Sequence, residues 1–287
     1  MLLKIFIKPN FISFYKEDKF YLLNEQYKND KLIFEEKKEF NTKKELINYI
    51  NEISSSNPQT YVSTVILSQN QGVVPSCDKK EYKKLGIELE NIKYICIKNR
   101  YSFYTTIYEL MELTKSFEPD FLYPIFALID IKAISKHNTL YILTTKSFNF
   151  ILIYKDSIPV YSDIFEIEEK TTEFKEEEDD EIEDISDIDI IEDFDDILDE
   201  DIENIEEIDE SSVEETKEEY RIIEDIKNTL KEYYEEGGDF IEKIVILDTL
   251  NTPQEIKTLI EDEIFITTTV QEFDILKTIN QISRENV

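Results

Sequence analysis

From residue 140 to 163 the chain reads LYILTTKSFNFILIYKDSIPVYSD, and apolar positions fill it in three short runs, 141–143, 148–154 and 158–161. Thr145-Lys146-Ser147 and Lys155-Asp156-Ser157 separate the runs with turn-forming residues, so the stretch predicts three strands joined by two hairpins. The apolar pattern runs on to Phe165, gives way to acidic residues, and resumes near Thr216 with helical periodicity. Residues 218–235 predict a helix through Ile222, Ile223, Ile226 and Leu230, stopped by Gly237-Gly238. A buried strand over 241–247, a helix opened by Pro253 and running to 262, a short strand over 264–268 and a last helix over 270–282 complete this half.

The N-terminal part has the same alternation. Residues 2–7 predict a first strand, and 11–15 with 19–23 a hairpin around Lys16-Glu17-Asp18. Residues 32–40 predict a further strand. Thr42 and Glu45 have capping-box spacing ahead of a helical stripe of Leu46, Ile47, Ile50 and Ile53. A buried strand is expected over 62–67 and another over 94–97. A helix is expected from Ser102, with Thr106, Leu110, Leu113 and Phe117 in register, before the Pro119-Asp120 turn and the apolar run 125–131.

Charge changes this picture in one place. The formal net charge is −33, but residues 166–219 hold 30 Asp and Glu against 3 Lys, leaving only −6 for the rest. Within that run Ile182, Ile185, Ile188, Ile191, Phe194 and Ile197 recur every third residue. Two readings stay open: a disordered, solvated loop, or a tether that folds as an acidic amphipathic helix on a basic partner. No clustered basic face is present, so nucleic acid is not an expected partner.

Candidate chemistry is sparse. Cys77 and Cys96 have no metal spacing, and Cys96, inside the apolar run 94–97, is expected as a packed, reduced thiol. His137, the single histidine, sits in a polar link and is expected to be solvated. The chain carries no GxxxxGK[ST], GxSxG or HExxH motif, and no calcium loop with its central Gly. No apolar run approaches the ~20 residues of a membrane span, and Pro9 interrupts the N-terminus before a signal-peptide core forms. The expectation is a cytoplasmic protein that reaches a membrane only through a partner.

Residues 104–124, with their helix, Pro-Asp turn and return strand, resemble the inserted subdomain of the PilM and GspL cytoplasmic-domain family, actin-like assembly-platform proteins of type IV pili and type II secretion. Residues 140–165 are similar to the hairpins that open the family's second domain, and 222–265 to its helix, strand, loop and helix. The resemblance implies an α/β, actin-like (ASKHA, RNase H-like) two-domain fold with a long acidic insertion. Its parts are a first domain at 1–138 with an inserted subdomain at about 60–127, a second domain at 139–165 and 217–287, and an acidic, disordered insertion at 166–216.

The resemblance also implies a ring or platform under an inner-membrane complex, in a pilus, secretion, DNA-uptake or flagellar-motor machine. The partner it implies is a PilN-like single-span membrane protein, and homo-oligomers are expected. An actin-like fold holds ATP through backbone amides of two hairpin turns and a loop, where Gly lets the backbone approach the phosphates. The corresponding stretches are read here as 7–11, 144–147 and 247–253, and none contains Gly. No catalytic, cofactor-binding or metal residue is therefore assigned, no cofactor is expected, and the chain is expected not to be an enzyme. The alternatives are an actin-like ATPase with atypical phosphate loops and an acidic decoy or chaperone-like interaction protein.

Overall fold

Two sheets with the same strand order organise the protein. The computed structural model describes residues 8–115, 117–133, 137–167, 210–252 and 255–287, with side chains of the long helix described from Tyr220 onward. The first sheet is built from β1 (Asn10–Lys16), β2 (Phe20–Lys28), β3 (Lys31–Phe40), β4 (Thr60–Ile66) and β8 (Phe121–Pro124), in the order β3-β2-β1-β4-β8. The second uses β9 (Thr139–Thr144), β10 (Phe148–Lys155), β11 (Ile158–Glu166), β12 (Lys243–Asp248) and β13 (Thr267–Glu272), in the order β11-β10-β9-β12-β13. In each, an antiparallel meander is followed by two parallel strands reached through helical crossovers. Between β4 and β8 the chain builds a third, small sheet from β5 (Gln71–Val74), β6 (Ile92–Ile97) and β7 (Tyr101–Thr106), with helix α2 (Lys79–Lys84) inside it.

Burial follows from the helices that cover these sheets. Helix α1 (Lys43–Ser56) places Leu46 and Ile50 on Ile12, Phe14 and Leu22, and Thr42 and Glu45 form the expected capping box. Strands β9 and β10 are buried on both faces, which is why they read as continuous apolar runs. One face packs on α5 (Glu210–Glu235) and α6 (Glu255–Ile264) through Ile226, Ile244 and Ile260. The other packs Leu143, Phe150 and Leu152 on α4 (Ile125–Lys132) and α7 (Ile275–Glu285).

With only four glycines in the chain, left-handed backbone positions fall to other residues. Asn29-Asp30, Lys98-Asn99 and Asp156-Ser157 each put two consecutive residues at positive φ, the conformation of tight two-residue hairpins. Gly237 (φ 85) ends α5 as its sequence position predicts, with its N–H donating to the Tyr234 carbonyl.

Several expectations need correcting. Residues 101–106 form strand β7, paired on both sides, and the helix α3 (Ile107–Thr114) begins only after Thr106 caps it. The aromatic and β-branched run Tyr-Ser-Phe-Tyr-Thr-Thr overrides helical spacing there. Phe117 lies beyond α3 and packs on Phe14 instead. The last strand and helix sit later than predicted, because the β-branched run after Ile266 extends as β13 and Asp274 caps α7. Cys77 and Cys96 are joined in a disulfide, with Cα atoms 5.7 Å apart, so Cys96 is not the reduced thiol expected from its apolar neighbours. Residues 2–7, Pro253 and the acidic stretch 168–209 lie outside the described residues.

One buried polar pair ties β10 to α5. The Asn149 side-chain amide donates to Asp225 Oδ2 at 2.7 Å, with both residues buried. Burial pushes the Asp225 carboxyl up from its usual 3.8 to about 6, against the opposing effects of Asn149 and Arg221. A carboxyl raised in the folded state favours folding while protonated. Stability is therefore expected to fall as pH rises from about 4 to about 6 and to stay level above that. Asp225→Asn keeps an acceptor for Asn149 and removes the buried charge. Urea unfolding should show the variant more stable than the parent at pH 8, with a gain about 1 kcal/mol larger there than at pH 5.

Candidate functional site

The first candidate is the cleft where the two large sheets meet. The turn that closes β1 and β2 is Glu17-Asp18-Lys19, and the turn that closes β9 and β10 is Thr145-Lys146-Ser147. The second stands where the sequence places it. The first does not: Lys8–Phe11 leads into β1, at the other end of that strand.

The two tips grip each other. Lys146 Nζ lies 3.2 Å from Asp18 Oδ2 and 2.8 Å from the Tyr21 hydroxyl, which itself donates to Asp18 Oδ1 at 2.8 Å. These contacts, Tyr21 first, hold the Lys146 ammonium above its ordinary range. Glu17 points into the opposite turn, where the Ser147 N–H donates to its Oε1 at 3.4 Å. Burial pushes the Glu17 carboxyl up, and the Thr145 side chain, followed by the turn backbone and the Lys146 charge, pulls it back toward the ionised form. The turn thus holds the chain's own carboxylate at its Ser147 amide.

The third loop is occupied in the same way. Asp248, at the end of β12, accepts from Leu250 N (2.9 Å), Thr252 N (2.8 Å) and the Thr252 hydroxyl (2.9 Å), so its carboxylate caps its own loop. The Thr249 hydroxyl donates to the Thr144 carbonyl at 2.7 Å. A cleft of about 340 Å³ remains beside it, between Tyr21 and Lys37 on one wall and Asp248 and Glu272 on the other. An ion pair between two lining residues, Lys37 and Asp274 (2.7 Å), crosses it, and Lys277 pairs with Glu35 at 3.2 Å. The cleft lysines are already paired, Lys38 with Glu36 at 3.0 Å, while Glu39, Asp248, Glu272 and Asp274 also line the space. Among the described residues no group of three or more His, Cys, Asp or Glu is placed to hold a metal ion. These residues do not fit a magnesium-bound nucleotide: a triphosphate would meet carboxylates, and its turn amides are taken.

The second candidate lies on the small sheet. Helix α3 carries Ile107, Tyr108, Leu110, Met111 and Leu113, yet none of its side chains is buried. Tyr108 is 68% and Met111 55% exposed, beside a groove of about 530 Å³ completed by Asn70, Glu90, Asn91 and Thr106. Sequence reasoning misses such a surface, because an apolar stripe at helical spacing reads as a core face. His137 is exposed, as expected, with Nδ1 2.9 Å from Glu242 Oε2.

Comparisons with known proteins agree with this architecture. Across 96% of this chain and 94% of the other, it is similar to a Bacteroides thetaiotaomicron protein of actin-like ATPase fold and unknown function, with 12% identity and a TM-score of 0.50. That likeness, together with the duplicated sheets, establishes the actin-like fold. Looser likenesses are to a PilM–PilN type IV pilus biogenesis complex (9% identity, 96% and 94% coverage, TM-score 0.49) and to the cytoplasmic domain of EpsL, an inner-membrane component of the Vibrio cholerae type II secretion system (12%, 54% and 71%, 0.32). No curated protein matches the chain. Residues 7–130 match the family described as Domain of unknown function (DUF8569). Residues 140–287, more than half of the chain, match Domain of unknown function (DUF8341), and the protein belongs to that family.

Proposed function

We propose that this chain is a non-catalytic scaffold of the PilM kind, a platform subunit lying in the cytoplasm beneath an inner-membrane complex. In this reading residues 1–138 form the first lobe, with an inserted subdomain that lies within the expected span of about 60–127, between β4 and β8. Residues 139–165 and 217–287 form the second lobe, and 166–216 an acidic insertion. The observation that carries the non-catalytic reading is Glu17, whose carboxylate accepts from the Ser147 amide of the 145–147 turn while Lys146 locks onto Asp18. An actin-like ATPase needs such turn amides for phosphate. The exposed apolar face of α3 supports docking of a short segment from the cytosolic tail of a PilN-like single-span protein. A membrane anchor supplied by a partner suits a protein in which, among the described residues, no helix is long and apolar enough to cross a bilayer.

Isothermal calorimetry with Mg-ATP should give a dissociation constant of about 1 mM or weaker, because phosphate cradling supplies most of the affinity in such sites. A micromolar constant would contradict the scaffold reading.

Docking has its own test. The full protein, and a variant in which a short flexible linker replaces residues 166–216, should both sediment with membranes and resist a moderate salt wash, since an apolar contact is little screened. Tyr108→Asp with Met111→Asp should release both into the supernatant. The shortened variant should also keep a cooperative melt, because loop closure changes by only about 0.6 kcal/mol for each halving of length. Salt release of the full protein, or failure of the shortened variant to sediment, would move the contact to the acidic stretch.

A further inference from the structure

The two faces of the small sheet are covered differently. Tyr101 and Phe103 of β7 belong to the core shared with α4 and β10. Their neighbours in the strand point the other way, so Ser102 opposite Cys96 and Tyr104 opposite Tyr94 make up the outer face. Helix α2 lies over that face. Its Tyr82 is fully buried, has its ring centroid 4.9 Å from that of Tyr94, and shares a hydrogen bond with the Ser102 hydroxyl. Val74 and Ile92 pack around it. The disulfide makes a second attachment. Cys77 immediately precedes the Asp78 cap of α2 and is joined to Cys96, 19 positions along the chain. A helix of six residues is too short to hold itself together, so α2 relies on these two attachments.

The loop that the disulfide closes reaches the α3 groove. Glu90 and Asn91 line that groove beside Tyr108 and Met111. The Asn91 carbonyl accepts from the N–H of Ile107, the first residue of α3, at 2.8 Å. Permanent disulfides serve domains with too little core, whereas this chain has two large apolar cores outside the loop. Neither cysteine is sealed from solvent: both are half-buried, and Cys96 sits on edge strand β6 next to Ile95, which is 52% exposed. The Tyr101 carbonyl oxygen lies 3.3 Å from Cys77 Sγ, and Asn99 Oδ1 lies 3.8 Å from Cys96 Sγ. Each sulfur therefore has an acceptor in place for the proton it gains on reduction. Lys79, Lys80, Lys93, Lys98 and Arg100 are exposed close to the pair in sequence, while Asp78 caps α2 and Glu81 pairs with Lys84. Such a surround favours a thiol that carries negative charge.

We infer that Cys77 and Cys96 form a reversible thiol–disulfide exchange site for an anionic low-molecular-weight thiol of the glutathione class, and that its state sets how firmly the 78–95 loop, one wall of the α3 groove, is held. The reductant thiolate attacks Cys96 Sγ and forms a mixed disulfide with it as the Cys77–Cys96 bond breaks. The Cys77 sulfur leaves with the electron pair, takes a proton from water and donates to the Tyr101 carbonyl. A second reductant thiolate then displaces Cys96, which is protonated in turn. Two electrons have passed from two reductant thiols, which depart joined as their own disulfide. Opening the bond frees the loop, while Tyr82 still anchors α2 and preserves the fold. The inference holds whatever docks on α3, since the chain alone reports it.

The test uses the full chain, equilibrated in glutathione buffers from fully oxidised to fully reduced. Alkylation with mass spectrometry counts free thiols, and hydrogen exchange follows residues 85–91 in the same samples. The pair should pass reversibly between its two states within that series. Reduction should speed exchange at 85–91 at least about tenfold, leaving the melt cooperative and the β9 and β10 peptides unchanged. Cys77→Ser with Cys96→Ser should show the fast exchange in every buffer. A pair that resists excess reduced glutathione and opens only to dithiothreitol would overturn the inference, as would one that oxidised glutathione cannot close again. Equal exchange in the two states would also overturn it, and so would a reduced chain that loses its cooperative melt, because the bond would then be a structural staple.

Discussion

Everything about the cleft depends on one electrostatic arrangement, the seating of Glu17 and Lys146 across the two hairpin tips. A turn that points amide N–H groups at one spot needs an anion there, because unpaired buried donors are costly. In this chain the anion comes from the opposite tip. Lys146 in turn finds Asp18 and Tyr21 on that same tip, so both hairpins satisfy each other. The clasp is continued by α7, which follows the second sheet in sequence and packs on the first as well. Ser13 donates to the Leu276 carbonyl at 2.9 Å, Ser63 and Ser283 share a hydrogen bond at 2.7 Å, and Asn280 donates to buried Glu25 at 2.9 Å. These contacts lie between residues more than two hundred positions apart and hold the two sheets in one closed arrangement.

The halves of the fold differed in how plainly the sequence announced them. The meander over 140–163 was legible because β9 and β10 are buried on both faces, so every position had to be apolar and only the turns could be polar. The capping box at Thr42 and the Gly stop at 237 were legible because each is a local hydrogen-bonding requirement with its own residue signature. Strand β7 was not. Its residues Ser102, Thr105 and Thr106 are polar enough to suit a helix start, and what makes them a strand is pairing with β5 and β6, two partners that sequence spacing cannot reveal. The disulfide was hidden for the same reason, since Cys77 and Cys96 meet through the fold of the small sheet.

For the candidate site, composition spoke before geometry. The absence of glycine from 144–147 and 247–253 pointed to altered phosphate loops, and the structure supplies what stands there instead: Glu17 in one turn and Asp248 in the other. The seating of Glu17 was not visible, because Glu17 and Asp18 read as ordinary turn residues and their partners lie some 130 positions away. The exposed surfaces show the opposite problem. Apolar residues on α3, on β3 and at Phe240 and Phe265 look like core residues in sequence, and only the packing shows that nothing in the described chain covers them.

Hydrogen exchange at the clasp tests the account at its centre. Mass spectrometry of peptides covering the 17–19 and 145–147 turns would follow their amides in the free protein and with millimolar Mg-ATP. Internal occupation of the turn by Glu17 predicts slow exchange at Ser147 without nucleotide, and the same rate when it is added. Fast exchange in the free protein that slows on adding Mg-ATP would show the turn waiting for a phosphate, and would contradict it.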